Sequence, residues 1–139
     1  MTGIFKVSSV EETWELARKL ACELKRGDVI CLEGDLGAGK TTFTQGLCAA
    51  LNLPGRVTSP TFCIVQEHIG ENRSLVHMDL YRLDNWQDVV SVGWEDFLDR
   101  GDIIVVEWPE RAPELIPQNA RHIVFRHAQG EEERVVEFR

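Results

Sequence analysis

No apolar run in the 139 residues approaches the roughly 18 needed to cross a bilayer. The opening stretch Met1-Thr2-Gly3-Ile4-Phe5-Lys6 also lacks the apolar core of a signal peptide. These two absences predict a cytoplasmic protein with no membrane contact. Basic residues are the minority, 15 Lys and Arg against 23 Asp and Glu, for a formal net charge of −8. Such a surface repels phosphate backbones as a whole, which disfavours unaided binding to nucleic acid. Cysteine is sparse and unpatterned: Cys22, Cys31, Cys48 and Cys63 stand far apart, with no CxxC and no Cys/His ligand spacing. They read as reduced core thiols, small hydrophobes rather than ligands. Repeats and low-complexity tracts are missing as well. With 43% hydrophobic and 27% charged residues, the composition is that of an ordinary globule. The length suits one domain spanning residues 1–139.

What is present is an alternation of helical and extended patterns. Ile4 to Val7 reads as a short strand. Ser9-x-x-Glu12 then forms a capping box ahead of Val10, Trp14, Ala17, Leu20, Ala21 and Leu24, an amphipathic helix closed by Gly27. Val29 to Leu32 is an unbroken apolar run, as expected of a strand covered on both faces. A second helix is expected from Lys40 to Leu51, stopped by Asn52-Leu53-Pro54-Gly55. Thr61 to Val65 and Ser74 to Met78 read as a hairpin turning at Gly70-Glu71-Asn72. Asp84 can cap a short helix through Val90, and Trp94 to Leu98 reads as another turn or two before Gly101. Ile103 to Val106 is the second fully apolar strand, ended by Glu107. Arg121 to Arg126 and Arg134 to Phe138 form a final hairpin around Gln129-Gly130. The expected fold is α/β, with a mixed, mainly parallel central sheet flanked by helices and carrying β-hairpins.

Gly34-Asp35-Leu36-Gly37-Ala38-Gly39-Lys40-Thr41 satisfies the phosphate-loop pattern G-x-x-x-x-G-K-[ST] in full, beginning where an apolar strand ends and closing where a helix starts. Glycines at 34, 37 and 39 allow positive φ and close approach, so that successive N–H groups turn toward an anion. The nucleotide-binding residues read from this segment are Asp35, Leu36, Gly37, Ala38, Gly39, Lys40, Thr41 and Thr42. Lys40 bridges phosphates as a point charge, and the Thr41 hydroxyl is placed to ligate Mg²⁺. The absence of an N-K-x-D motif argues against guanine selectivity.

Such a site needs a carboxylate at the end of a neighbouring strand. Glu107 fits, and Asp79 is a second candidate that reads equally well as the start of a turn with Leu80-Tyr81-Arg82. Thr58-Ser59-Pro60-Thr61 lies where phosphate-sensing loops occur, and reads as well as the ordinary beginning of a strand. Trp108 lies beside the nucleotide if Glu107 faces it, or else at a core edge. Trp14 reads as helix packing, while Trp86 and Trp94 fit either a core or a partner contact. His77 reads as a packed strand residue rather than a base, and His68, His122 and His127 have no evident partner. No arginine is placed as a finger, which predicts slow turnover in isolation.

GDLGAGKTT at 34–42, SPTF at 59–62, HMDLYRL at 77–83 and VVEWPER at 105–111, in this order, resemble the TsaE (YjeE) family over nearly the whole chain. The resemblance implies an Mg²⁺-dependent ATPase, converting ATP to ADP and phosphate. It would act with TsaB and TsaD in the threonylcarbamoyl-adenosine modification of tRNA position A37, touching tRNA mainly through the complex. By the same resemblance Lys40 is the phosphate-binding lysine, Thr41 and Glu107 are the magnesium-side residues, and Asp79 is a further acid near the metal. Thr61 is then the switch-loop threonine near the γ-phosphate. Two other readings of the residues stay open: a nucleotide-gated assembly module with little turnover, and a small P-loop kinase.

Overall fold

The computed structural model describes residues 1–35, 38–55, 57, 65–83, 87, 90, 93–130 and 132–139. Leu36, Gly37, the Thr58 to Thr61 loop, Cys63, the Asp84 cap and Trp86 lie outside the described residues. The elements run β1 (Gly3–Val7), α1 (Val10–Ala21), β2 (Val29–Gly34), α2 (Lys40–Ala50), β3 (Val65–Ile69) and β4 (Ser74–Asp79). They continue with α3 (Trp94–Arg100), β5 (Ile103–Glu107), β6 (Arg121–His127) and β7 (Arg134–Phe138).

The strands form one seven-stranded sheet in the order β1-β7-β6-β2-β5-β4-β3. Its centre, β6-β2-β5-β4, is parallel, while β3 on one side and β7 and β1 on the other pair antiparallel. The fold is therefore α/β with a mixed sheet, as expected. Val29 to Leu32 and Ile103 to Val106 are buried on both faces because helices cover the sheet from each side. Alternation splits the core in two. Ile30, Leu32, Leu75, Ile103 and Val105 face α1 and α2, whereas Cys31, Val76, Met78, Ile104 and Val106 face α3. Trp94 and Phe97 fill the second core, which assigns Trp94 to packing.

α1 begins as its sequence signals, with Ser9 Oγ accepting from the Glu12 N–H at 3.1 Å. The reciprocal arm shifts by one residue: the Glu12 carboxylate accepts from the N–H of Ser8 at 3.0 Å. Its buried face is Thr13, Leu16, Ala17, Leu20 and Ala21, whereas Val10 and Trp14, expected to pack, are 46% and 43% exposed. α2 comes close on this side: a Cβ on Gly46 would stand 2.8 Å from Ala17 Cβ and 3.1 Å from both Cα and the indole Cδ1 of Trp14, so the indole meets α2 by one edge and leaves the rest of its ring in solvent. α1 also ends at Ala21, not at Gly27. The residues after it tighten into turns, with the Glu23 N–H donating to Leu20 at 2.9 Å, and they bury Leu24.

Cys22, expected in the core, is exposed at the end of α1, while Cys31 and Cys48 are buried and free. Burial pushes the Cys31 and Cys48 thiols up to about 12. An alkylating reagent at neutral pH is expected to label Cys22 in the folded protein and to reach Cys31 and Cys48 only after denaturation. Peptide mass spectrometry reads this directly, and prompt native labelling of Cys31 would contradict it.

Two histidines read as partnerless have partners. Nδ1 of buried His68 lies 3.4 Å from the Pro54 carbonyl, and His122 Nδ1 lies 3.7 Å from a Glu33 carboxylate oxygen. Neither contact joins neighbours in sequence. Burial holds the His68 pKa below the ordinary histidine value.

Candidate functional site

The carboxyl ends of β2, β4 and β5 converge beneath the first turn of α2. Gly34 closes β2 with φ 138°, and a Cβ there would stand 2.3 Å from the carbonyl oxygen of Phe125 in β6. Only glycine lets the strand leave the sheet so close to its neighbour. Asp35 is exposed, and its carbonyl accepts from the Ala38 N–H at 3.2 Å. Ala38 is fully buried, and Gly39 caps α2 in the left-handed region with φ 108°.

α2 differs from the other helices at its start in having no acidic residue in its first turn, whereas α1 carries Glu11 and Glu12 and α3 carries Glu95 and Asp96; like α3 it also lacks a side-chain cap. The first N–H groups of a helix have no intrahelical acceptor, so this end keeps its partial positive charge for an external anion. Phe43 anchors the turn from below, its ring edge-on to Phe125 with centroids 5.5 Å apart. A buried aromatic of this kind is worth about 3–5 kcal/mol on truncation to alanine.

Lys40, only 7% exposed, donates from Nζ to the Gly34 carbonyl at 2.7 Å and lies 3.6 Å from Glu107 Oε1. Glu107 is itself buried, and its Oε2 is 2.5 Å from Nε2 of His77. Asp79 is the register partner of Glu107 across β4 and β5, which sets the two carboxylates side by side on the α2 face. Asp79 stands at the strand end, and its Oδ1 accepts from the Tyr81 N–H at 2.9 Å, the turn geometry of a short acidic side chain. Thr41 and Thr42 follow in the first turn of α2, half-buried.

Trp108 follows β5 directly and packs, partly buried, against the second core on the side of Ile104 and Val106. Its φ of 60° is uncommon for a bulky residue, and its ring comes under the Lys40 ammonium, 5.1 Å from Nζ to the centroid. Tyr81 packs on Trp108 with centroids 4.8 Å apart, and the Arg111 guanidinium lies over Tyr81 at 5.5 Å. The sequence reading took His77 for a packed strand residue and gave Tyr81 no role beyond a turn. Their signal was parity, since His77 and Asp79 share a face of one strand, but the pairing of β4 with β5 was needed to bring Glu107 opposite.

Among the described residues, no three His, Cys, Asp or Glu side chains form a ready-made metal cage. A cation here would draw on the Thr41 hydroxyl, the Asp79 and Glu107 carboxylates and a ligand's own oxygens. That all-oxygen donor set suits Mg²⁺, which commonly uses one or two carboxylates and substrate phosphates.

The sequence model of the family described as "Threonylcarbamoyl adenosine biosynthesis protein TsaE" matches residues 7–136. The chain belongs to the TsaE family. A protein named tRNA threonylcarbamoyladenosine biosynthesis protein TsaE, from Bacillus subtilis, is 40% identical over 128 residues, covering 92% of this chain and 79% of that protein. The protein of the same name from Aquifex aeolicus is 43% identical over 107 residues, 76% of this chain and 75% of its own length. Among solved structures, the crystal structure of Bacillus subtilis YdiB superposes with a TM-score of 0.82 at 34% identity, over 99% of this chain and 84% of that one. Among the described residues no helix is long and apolar enough to cross a membrane.

If nucleotide binds at this TsaE-family loop, Trp108 is the indole positioned to sense it. Adding ADP is expected to change tryptophan emission, and Trp108→Phe to remove more than half of that change while Trp14→Phe leaves it. A full signal in Trp108→Phe would place the nucleotide elsewhere.

Proposed function

We propose that this TsaE-family chain is an Mg²⁺-dependent ATPase of the tRNA threonylcarbamoyl-adenosine pathway, acting with TsaB and TsaD and touching tRNA mainly through them. The observation that carries this reading is the convergence of Lys40, at the first position of an uncapped helix, with Glu107 at 3.6 Å and with Asp79 in register beside it. One ammonium beside two carboxylates leaves the mouth with a surplus of negative charge. A divalent cation between these carboxylates and a triphosphate offsets their repulsion, which supports a metal requirement for turnover.

In this reading the N–H groups of residues 35–42 cradle the phosphates, and Lys40 leaves the Gly34 carbonyl to take up the β- and γ-oxygens. Mg²⁺ held there would supply positive charge against those oxygens, and water would attack the γ-phosphorus in line. Thr41, Asp79 and Glu107 hold its shell, Thr61 serves the γ-phosphate side, and Trp108 shields the lysine from bulk water. Arg111 lies over the Tyr81 ring, which itself packs on Trp108.

Phosphate release measured with and without TsaB and TsaD tests the reading. Turnover is expected to be slow alone and to rise at least tenfold with both partners. Hydrolysis at tens per second by the isolated protein would sink the partner dependence. No release under any condition would leave a nucleotide-gated module, and transfer of phosphate to a small acceptor would favour a kinase.

A further inference from the structure

His77 is fully buried in β4, and its Nε2 lies 2.5 Å from Glu107 Oε2. A carboxylate only accepts, so the ring donates from Nε2. The contact runs diagonally across the parallel pair. His77 is the register partner of Val105, and its ring reaches forward toward the strand end to meet Glu107. The other carboxylate oxygen, Oε1, faces Lys40 at 3.6 Å. Glu107 is therefore gripped at both oxygens by groups from two different elements, β4 and α2.

The far side of the ring argues against simple packing. His77 Nδ1 is buried without a hydrogen-bond partner among the described residues. Desolvating that nitrogen costs stability that an apolar side chain in the same strand would keep. Position 77 is otherwise an ideal site for such a side chain, between Val76 and Met78 in a strand buried on both faces. What the imidazole supplies that leucine cannot is the Nε2–H aimed at Glu107.

We propose that His77 is a positioning residue: its Nε2–H locks the Glu107 carboxylate in the rotamer that presents Oε1 to Lys40 and to the cation side of the phosphate loop. The proposal rests on reading Glu107 as the metal-side acid. An exposed glutamate samples many rotamers and must be ordered when it ligates, whereas one already held loses little on binding. Hydrogen-bond partners of metal-binding carboxylates typically change metal affinity or activity by about 10–100-fold when removed.

The test compares two polar replacements that differ in reach. The His77→Gln amide nitrogen can stand near the Nε2 position, whereas that of His77→Asn stops near Nδ1. Mg²⁺ is titrated into each variant with a non-hydrolysable ATP analogue, and binding is followed by calorimetry, a readout independent of turnover. His77→Asn should raise the half-saturating Mg²⁺ by about 10–100-fold, with Mg²⁺-free nucleotide affinity unchanged, and His77→Gln should stay within about threefold of wild type. Thermal melts run in parallel give the structural baseline. Equal shifts in Gln and Asn, or a Mg²⁺-free affinity loss matching the Mg²⁺ effect, would overturn the positioning role. Glu107→Gln separates the two levels. If it raises the Mg²⁺ requirement while His77→Asn does not, only the role of His77 falls. If Glu107→Gln leaves the requirement unchanged, the reading of Glu107 falls and takes this proposal with it.

Discussion

Lys40→Ala is expected to weaken ATP and ADP binding by roughly 10²–10³-fold, the scale of losing a desolvated ammonium from a phosphate contact. The side chain is almost fully buried, so the interaction is little screened by water or salt. Its present contacts, the Gly34 carbonyl and Glu107, are ones it can exchange for phosphate oxygens without leaving the site. The same substitution removes the ion pair to Glu107 and leaves that buried carboxylate with the side-chain hydrogen bond from His77. A stability loss of about 1–3 kcal/mol should therefore accompany the binding loss. A thermal melt beside the calorimetric titration keeps the two apart. Glu107→Gln should behave differently, because the amide is nearly isosteric but cannot supply charge to a cation shell. Mg²⁺-free nucleotide affinity should stay within about threefold of wild type while Mg²⁺-dependent phosphate release falls by at least about a hundredfold. Wild-type binding in Lys40→Ala, together with wild-type turnover in Glu107→Gln, would remove the proposed site.

Gly34→Ala should be the most damaging small substitution for the fold, at about 3–5 kcal/mol. Two effects add. A φ of 138° is strained for any L side chain, and the new Cβ would meet the Phe125 carbonyl oxygen at 2.3 Å. That oxygen belongs to the backbone of β6, which pairs with β2 at this very position, so neither partner can yield without breaking the ladder. A fall in Tm of roughly 10–20 °C by calorimetry is expected for a domain of this size. Gly27→Ala is the control. Its φ of 84° is also left-handed, but nothing lies within 4 Å of the added Cβ, so the cost should be near 1 kcal/mol from backbone strain alone. Equal melting shifts in the two variants would show that close approach contributes nothing at Gly34.

How far the site was legible depended on whether its signal was local. The phosphate loop could be read because strand, glycines, lysine and helix start are contiguous, so spacing along the chain is spacing in space. Glu107 was legible for a similar reason, since an apolar run ending in an acid marks the carboxyl end of a buried strand. Trp14 was legible only in part, because helical periodicity gives a face but not its neighbour: one edge of the indole meets Gly46 of α2 and the ring stays 43% exposed. Cys22 failed likewise, since the helix stopped one residue short of it.

The sequence by itself determined most of the elements, the phosphate-loop pattern and the acids at the strand ends, because these follow from side-chain periodicity and from short stretches of backbone chemistry; the end of α1 and the bounds of β3, Val65–Ile69, it did not. Only the tertiary structure decided that Asp79 stands opposite Glu107, that His77 grips Glu107 from the neighbouring strand, and that Trp108 turns under Lys40. The physical reason is register. A strand carries its two faces in its sequence, but which residue of a distant strand stands beside it is set by the packing of the whole sheet.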